Sequence, residues 1–354
     1  MKRIGCLLLA LLLAGSLSGC DSGPAEGQAF AMDTVMNFSA YGKAGEDAIA
    51  AAQERIYQLD AELSRTREDS EVSKLNQAGS VMTAVSDDVW KLLNSAKTYS
   101  AATGDAFDIT VAPVVTAWGF TTDTYQVPSQ AELDALLPLV DDSRIQLEER
   151  TDGCYAALGQ GQSIDLGGIA KGYASDCVAE IFAQHGVKSG MISLGGNVYV
   201  SGAKPDGSAW RVGVQDPQDS NATVGVLDLT NAYAVTSGGY QRYFEQDGKR
   251  YHHIIDPATG YPAESGLLQV TVVAGGDAAR EDDGNPAGTG TMCDAFSTAL
   301  FVMGEEKALE FWRSGAYDFD LVLVTDDGRV LVTDGLADRF TPADGSAYRY
   351  ETVS

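Results

Sequence analysis

Helical periodicity dominates the first half of the chain, and this constrains the fold more than any other feature. Residues 44–63 carry apolar side chains at intervals of three and four, and residues 168–184 repeat that spacing. Ser86 and Ser129 each precede an acidic first turn, so a helix over 86–103 and a short helix after Ser129 are predicted. The helical pattern returns only near the end, over 294–313 with a break around Gly304.

The second half of the chain has the pattern of β-structure. From residue 191 onward, short runs rich in apolar and β-branched residues are separated by Gly, Asn and Asp. The predicted strands are 193–200, 210–215, 224–230, 233–236, 267–274, 321–325 and 330–333. Because helices come mainly first and strands mainly later, the chain is predicted to be α+β rather than a doubly wound parallel sheet.

The first twenty residues have the pattern of a bacterial lipoprotein signal. Lys2 and Arg3 precede an apolar stretch over residues 4–14, which is too short for a transmembrane helix. Residues 17–20, Leu-Ser-Gly-Cys, are similar to a lipobox, in which the cysteine thiol is acylated. The alternative is an ordinary cleaved signal in which Cys20 is incidental.

These patterns divide the chain into three segments. We predict a signal peptide at 1–19, a flexible lipidated tether at 20–29 and a folded domain at 30–345. The mature protein is therefore expected to be extracytoplasmic, anchored to the cell membrane by lipid on Cys20.

The charge balance argues against nucleic acid as a partner. The chain has 24 Lys and Arg against 50 Asp and Glu, which gives a formal net charge of −26 at pH 7. Such a chain repels polyphosphate backbones, and no basic patch interrupts it. With only three histidines and dispersed cysteines, a structural zinc site with about four nitrogen or sulfur ligands is not predicted either, whereas coordination by oxygen remains available.

Residues 163–172 are a candidate phosphate-binding segment. Asp165 is expected at the end of a strand, and two glycines before a helix would let a ligand approach the backbone. The N–H groups at the start of the helix and the charge of Lys171 would favour an anion. The alternative is a glycine-rich turn followed by an ordinary exposed lysine.

Two more positions could take part in chemistry. Asp294 and Thr298 are four residues apart in a predicted helix, so their oxygens share one face and could form part of a Mg²⁺ site. A helix cap is the alternative for Asp294. His253, beside a predicted turn, could act as a general base near neutral pH, although a lone His is more often structural than catalytic.

Six ordered motifs together resemble the ApbE family, the FAD:protein FMN transferases. The motifs occupy residues 31–34, 106–120, 165–173, 236–244, 253–262 and 294–300. They include Asp-Leu-Gly-Gly-Ile-Ala-Lys-Gly-Tyr at 165–173 and His-Ile-Ile-Asp-Pro at 253–257. The resemblance implies an ApbE-like, T-fold-like mixture of helices and β-sheet in two closely packed subdomains.

The resemblance also implies a reaction and residue roles. FAD would be split at its diphosphate, FMN would be joined to a Thr or Ser hydroxyl of an acceptor flavoprotein, and AMP would leave. By correspondence of motifs, the catalytic residues would be His253, the base toward the acceptor hydroxyl, and Lys171, whose charge would assist the cation at the diphosphate. Gly168, through its carbonyl, Asp294 and Thr298 would hold Mg²⁺. The FAD-contacting positions would be Met32, Ala106, Phe107, Asp108, Asp165, Lys171 and His253.

Two other activities fit the same motifs: an FAD pyrophosphatase that releases FMN and AMP, and a non-catalytic FAD-binding lipoprotein. The sequence also departs from the family pattern. Asp33 stands where many members have Gly, Thr66 where many have a Tyr near the flavin, and Cys293 where a small Ala is common. The stretch over 279–292 is longer than usual.

Overall fold

The computed structural model describes residues 23–122, 124–276, 278 and 288–354. The predicted signal peptide, Cys20 and most of the long 279–292 stretch lie outside the described residues. The helices are α1 Gly45–Leu63, α2 Glu71–Ala78, α3 Asp87–Ala102, α4 Ala112–Ala117, α5 Gln130–Leu136, α6 Ala170–Gln184 and α7 Thr289–Arg313.

Seventeen strands are found in the described residues, and most of them belong to one large sheet. The strands are β1 Ala25–Ala31, β2 Thr34–Ala40, β3 Thr83–Val85, β4 Gln146–Arg150, β5 Gly153–Ala157, β6 Gly190–Leu194, β7 Asn197–Ser201, β8 Trp210–Gln215, β9 Thr223–Leu229, β10 Ala232–Gly238, β11 Tyr243–Gln246, β12 Lys249–His252, β13 Leu267–Gly275, β14 Asp320–Thr325, β15 Arg329–Thr333, β16 Phe340–Pro342 and β17 Arg349–Val353.

The main sheet has nine strands in the order β1-β2-β6-β7-β10-β13-β14-β15-β17. Neighbouring strands are antiparallel except for β15 and β17, which run parallel. Smaller sheets have the orders β16-β9-β8, β3-β5-β4 and β11-β12. The mixture of helices with mainly antiparallel sheets confirms the α+β prediction.

One face of the main sheet is covered by helices. The apolar stripe of α1, including Ile56 and Leu59, is buried in the largest hydrophobic cluster together with the inward faces of α6 and α7. Helix α3 joins the same cluster, since the ring of Tyr99 meets the edge of Phe296 at 5.2 Å between centroids. Helices are therefore held on this face by the burial of apolar side chains.

The other face of the main sheet is covered by the sheet of β8, β9 and β16. Trp210 and Val212 from β8 pack with Val273 and Val322 of the main sheet in a second hydrophobic cluster. This second sheet covers only part of the face, and the remainder forms the wall of a cavity.

Most sequence-predicted elements are present in the structure. The helix predicted over 44–63 is α1, and Ser86 and Ser129 accept backbone N–H groups as the N-caps of α3 and α5. Helix α7 is interrupted where the sequence breaks, because Gly304 has φ 79° and ψ 173°. Among the described residues, no helix combines the length and the hydropathy needed to cross a bilayer.

Three boundaries differ from the prediction. The run over 193–200 is a hairpin rather than one strand, because Gly195 and Gly196 both have positive φ and form its turn. The tether was predicted to extend to residue 29, yet Ala25–Ala31 pair with β2, so the folded part begins near residue 25. It also extends beyond 345, since β17 pairs with β15 up to Val353.

Removing buried volume from α1 should destabilise the whole domain. Ile56 is fully buried, and we expect Ile56→Ala to lower the free energy of unfolding by about 2–5 kcal/mol through lost burial and the cavity left behind. The neighbouring Tyr57 is 50% exposed and provides the control, since Tyr57→Ala should change the free energy of unfolding by no more than about 0.5 kcal/mol. Urea unfolding of both variants measures the difference, and equal losses would contradict this account of the core.

Candidate active site

A large cavity of about 910 Å³ lies against the uncovered part of the main sheet. Its volume is in the upper part of the range typical of small-molecule sites. It is lined by residues that are far apart in the sequence and come from β2, β8, β10, the segment before α6, and α7. All ten sequence-predicted site residues line this cavity: Met32, Ala106, Phe107, Asp108, Asp165, Gly168, Lys171, His253, Asp294 and Thr298.

The segment before α6 differs from its prediction. Asp165 is not at a strand end; it lies in an irregular segment, where its backbone N–H donates to Ile109 O at 2.8 Å. Its Oδ1 accepts the N–H of Gly167 at 2.8 Å, and Lys171 Nζ donates to Gly167 O at 3.1 Å. These bonds fix the turn that leads into the helix.

The start of α6 is not an open cradle of N–H groups. The N–H groups of Ile169 and Ala170 donate to Leu166 O, and the N–H of Gly172 donates to Asp294 Oδ2 at 2.8 Å. Because these donors already have acceptors, an anion near this turn must be balanced mainly by other charges. The sequence predicted that free N–H groups at this helix start would hold phosphate. That prediction is wrong for most of these N–H groups, because they already donate to acceptors within the protein.

Asp294 is a buried carboxylate inside α7 rather than a cap. The helix begins at Thr289, so Asp294 lies in its second turn, and its residue is only 3% exposed. While Oδ2 accepts the N–H of Gly172, Oδ1 lies 3.8 Å from Lys171 Nζ, beyond hydrogen-bond distance. Among the described residues, no hydrogen-bond donor occupies Oδ1, which leaves it available to a cation.

The three predicted metal ligands converge. A Cβ built on Gly168 would lie 3.5 Å from Thr298 Oγ1, so Gly168 and Thr298 are in direct proximity. Thr298 Oγ1 is also 3.2 Å from Ser237 Oγ on β10, and Asp294 is one turn away on α7. The described residues contain no group of three or more His, Cys, Asp and Glu side chains that could hold a metal. The Asp294 carboxylate and the Thr298 hydroxyl are nevertheless hard oxygen donors, the kind that Mg²⁺ prefers.

Two residues of α6 hold α7 in place, and sequence reasoning missed both roles. A Cβ on Gly172 would collide with Gly290 O and lie 2.7 Å from Asp294 Cβ, so only glycine allows this approach of the two helices. One turn later, the carboxylate of Asp176 accepts the N–H groups of Gly290 and Thr291, each at 2.8 Å. Asp176 thus caps the start of α7 from a neighbouring helix, and burial raises the pKa of its carboxyl.

Arg65 is a further lining residue that the sequence did not single out. Its guanidinium donates to Asp165 Oδ2 at 2.9 Å and to Thr116 Oγ1 at 2.6 Å. The Arg65 side chain is mostly buried, so it adds a fixed positive charge to the cavity wall beside the turn before α6. Thr66 also lines the cavity.

Met32 lies in a strained turn at the end of the β1–β2 hairpin. Ala31 pairs with Thr34, and the two residues between them, Met32 and Asp33, have φ of 50° and 58°. Such left-handed values favour Gly or Asn in a two-residue hairpin turn, so this pair stores strain beside the cavity. Asp60 on α1 stabilises the turn by accepting the N–H of Met32 at 2.7 Å.

Asp108 lines the cavity, but its carboxylate is already used within the protein. Oδ1 accepts the N–H of Thr110 at 2.7 Å and its hydroxyl at 2.6 Å, and Oδ2 accepts the N–H of Asp142 at 3.3 Å. Burial raises the pKa of this carboxyl. Asp108 therefore shapes the segment that carries Ala106 and Phe107, and has little acceptor capacity left for a ligand.

His253 is held in one tautomer. Its Nδ1 is 3.1 Å from the carbonyl oxygen of Arg242, which can only accept, so Nδ1 carries the proton and Nε2 carries the lone pair. Burial lowers the pKa of His253 to about 4, and the positive charges of Arg242, His252 and Lys171 act in the same direction. The imidazole is therefore neutral at pH 7 and able to accept a proton.

The cavity wall carries more negative than positive charge. Asp33, Asp60, Asp108, Asp165 and Asp294 line it together with Lys171, Arg65 and Arg242. An anionic ligand of the size of a dinucleotide would thus meet net repulsion unless a cation accompanied it.

Cys293, one of the positions where the sequence departs from the family pattern, does not line the cavity. Its side chain is fully buried in the main hydrophobic cluster.

Comparison with known proteins gives a consistent result. The family model described as ApbE family matches residues 32–322. The chain is 35% identical over 301 residues to an FAD:protein FMN transferase of Klebsiella pneumoniae, covering 83% of this chain and 88% of the relative. It is 33% identical to the FAD:protein FMN transferase of Salmonella typhimurium, covering 88% of this chain and 91% of the relative.

Solved structures agree with the sequence relatives. The ApbE protein of Thermotoga maritima superposes with a TM-score of 0.76 at 30% identity, covering 91% of this chain and 97% of that one. The apo form of the Pseudomonas stutzeri flavinyl transferase ApbE gives 0.72 at 29% identity, covering 85% and 91%. A family match across most of the chain, a shared fold and the cavity described above lead to one conclusion: this chain belongs to the ApbE family and is a flavin transferase.

Proposed function

We propose that this chain transfers FMN from FAD to a Thr or Ser hydroxyl of an acceptor flavoprotein, in a Mg²⁺-dependent reaction that releases AMP. The hydroxyl oxygen forms a bond to the phosphorus of the FMN phosphate, and the bond from that phosphorus to the bridging oxygen breaks. AMP leaves with the bridging oxygen, and the hydroxyl proton passes to a base. The observation that carries the proposal is the convergence of Lys171, Asp294, Thr298 and His253 on one dinucleotide-sized cavity.

The donor set supports a bound magnesium ion. Asp294 Oδ1, Thr298 Oγ1 and the carbonyl of Gly168 are the protein atoms that would hold it, and the net negative charge of the cavity wall favours a cation. Bound there, Mg²⁺ would neutralise charge on the diphosphate oxygens and make AMP a better leaving group. The hydrogen bond from Gly172 N–H to Asp294 Oδ2 keeps the carboxylate oriented and leaves its other oxygen available to hold a cation.

The remaining residues would bind FAD and move the proton. Lys171 is placed to add positive charge beside the diphosphate, because its Nζ is already close to Asp294. Met32 and Phe107 would contact the ring systems through sulfur and aromatic surface. Nε2 of His253, with its lone pair, would accept the proton of the acceptor hydroxyl.

We also propose that the protein is a lipoprotein outside the cytoplasm. The support is the sequence pattern alone: a positively charged start, an apolar stretch over 4–14 and the small residues before Cys20. In this proposal residues 1–19 are removed and lipid on Cys20 anchors the enzyme to the cell membrane. Globomycin treatment of expressing cells provides a test, since accumulation of the uncleaved form supports lipid processing and its absence contradicts it.

The reaction is tested with the soluble domain, FAD and Mg²⁺, together with a panel of purified apo-flavoprotein domains from the same genome. A gain of one FMN in the mass of an acceptor, abolished by EDTA, supports transfer. Release of AMP and free FMN without any mass gain identifies an FAD pyrophosphatase instead. Neither product, with FAD bound, identifies a non-catalytic binding protein.

Asp294→Asn should separate metal binding from folding. The amide oxygen can still accept the N–H of Gly172, so the thermal midpoint should change little, but the charge that holds the cation is lost. We expect turnover to fall by about 100-fold or more, since metal stabilisation of transferred phosphoryl groups contributes several kcal/mol. Asp47→Asn on the exposed surface of α1 is the control. Full activity of Asp294→Asn would refute the metal site.

Lys171→Met should weaken catalysis without unfolding the protein. The side chain is partly buried and its charge lies 3.8 Å from Asp294 Oδ1, so we expect kcat/KM for FAD to fall roughly 30-fold, equivalent to about 2 kcal/mol of transition-state stabilisation. Lys91→Met, on the exposed side of α3, should leave kcat/KM unchanged. If the two variants behave alike, Lys171 is an ordinary surface lysine.

The pH profile reports on His253. Because burial lowers its pKa from 6.5 to about 4, the imidazole stays neutral well below pH 6.5 and becomes protonated only as the pH approaches 4. We expect kcat/KM for transfer to show no loss from His253 between pH 8 and 5.5, and His253→Gln to lower the rate across that range. An acidic limb centred near pH 6.5 that disappears in His253→Gln would contradict this environment.

A further inference from the structure

Large apolar side chains on the surface of this acidic protein are few. Among the described residues, the exposed ones are Phe30, Val35, Tyr57, Val81, Tyr125 and Tyr243. Single exposed apolar residues are common and need no explanation, whereas a contiguous group beside a functional cavity often marks an interaction surface. Three of the six, Phe30, Val35 and Tyr125, lie beside the cavity.

Phe30 and Val35 form a cross-strand pair next to the turn at Met32. They are directly opposite each other in the β1–β2 register, so both side chains project from the same face of the sheet. They are 67% and 54% exposed, although Ala29 and Ala31 on the opposite face of β1 are buried against the helices. The pair therefore leaves apolar area open on a hairpin whose turn residues line the cavity.

The face that carries this pair is the face that forms the cavity wall. Side chains of directly opposed residues in antiparallel strands share a face, and so do residues two apart in one strand. Asn37, two residues after Val35, is opposite Ser193; Ser193 is opposite Val198, and Val198 is opposite Ala234. Ser193, Val198 and Ala234 all line the cavity, so the Phe30–Val35 pair is continuous with its wall.

Tyr125 packs against Phe120, which lines another part of the cavity. Its ring centroid is 5.6 Å from that of Phe120, and Phe120 in turn meets His253 at 6.4 Å. Phe120 and His253 both line the cavity, whereas Tyr125 is 39% exposed. Exposed apolar side chains are thus found in two places around the cavity, one near Met32 and one near Phe120, which contacts His253.

We propose that Phe30, Val35 and Tyr125 form the docking surface for the acceptor flavoprotein. The inference rests on the proposed function, in which the second substrate is a protein that must bring a hydroxyl into this cavity. A folded acceptor cannot enter a cavity of this size, so it must rest on the surrounding surface while one segment reaches inside. The proposal predicts an apolar partner surface around the reactive hydroxyl, because removing these side chains from water stabilises the complex most where apolar groups cover them.

The charge of the chain supports this occupant over a membrane. With a formal net charge of −26, the protein body is repelled by anionic lipid surfaces. The Phe30–Val35 pair is also continuous with the cavity, where an acceptor is required and a membrane is not. Apolar contact provides attraction that does not depend on opposite charge.

The test uses the soluble domain and an apo-flavoprotein domain that the wild-type chain flavinylates. The double variant Phe30→Ser with Val35→Ser should raise KM for the acceptor domain roughly tenfold or more, while the Kd for FAD and the thermal midpoint stay unchanged. Tyr125→Ser should act in the same direction. Val81→Ser is the matched control, because Val81 is 64% exposed but does not line the cavity or belong to the hairpin.

Each outcome decides a separate point. If wild-type transfers FMN and the double variant does so with an unchanged KM, the docking surface is refuted and the proposed function stands. If wild-type transfers FMN to no domain of the panel, the proposed function fails and the docking surface with it. If the double variant instead loses binding to phosphatidylglycerol vesicles at an unchanged acceptor KM, the pair is a membrane contact and the proposal is overturned.

Discussion

The close approach of α6 and α7 is the constraint on which the site depends. Gly172 has no side chain, so its N–H can reach the Asp294 carboxylate at 2.8 Å and the backbone of α7 can pass beside it. Asp176, one turn later, caps α7 and fixes its start. The position of Asp294 is therefore set by backbone groups and a buried carboxylate, which move less than long side chains on a surface. A carboxylate held through one oxygen keeps the other in a constant direction.

The cavity combines this fixed carboxylate with an unusual balance of charges. Most N–H groups at the start of α6 already have acceptors inside the protein, so the backbone contributes less to anion binding than a glycine-rich helix start normally does. Lys171 and Arg65 provide positive charge, but the lining aspartates outnumber the cations. The wall thus lacks the positive charge needed to balance a diphosphate, and the proposed cation would supply it. The proposed dependence on a metal therefore rests on the charge of the whole wall rather than on one ligand.

Sequence patterns predicted the elements with strong local signals. The apolar stripe of α1, the serine caps of α3 and α5, and the break of α7 at Gly304 are local features, so they could be read directly from spacing. Spacing and chemistry singled out five of the ten site residues as candidates, and the resemblance supplied the other five and the roles. The structure brings all ten to one cavity. The cap by Asp176, the bonds of Arg65 and the strained turn at Met32 could not be predicted, because each depends on residues far away in the chain. The β1–β2 hairpin was missed because Pro24 just before it and Gly27 within β1 resemble a linker.

The cavity wall is built from both ends of the chain. Met32 belongs to the first hairpin and Thr298 to the last helix, with the segment before α6 between them. No partial chain can therefore complete the wall, and such long-range closure is a slow part of folding. A ligand that binds only the finished cavity stabilises the entire native state at once. Binding of FAD would thereby report on complete folding, because the cavity is finished only when both segments are in place.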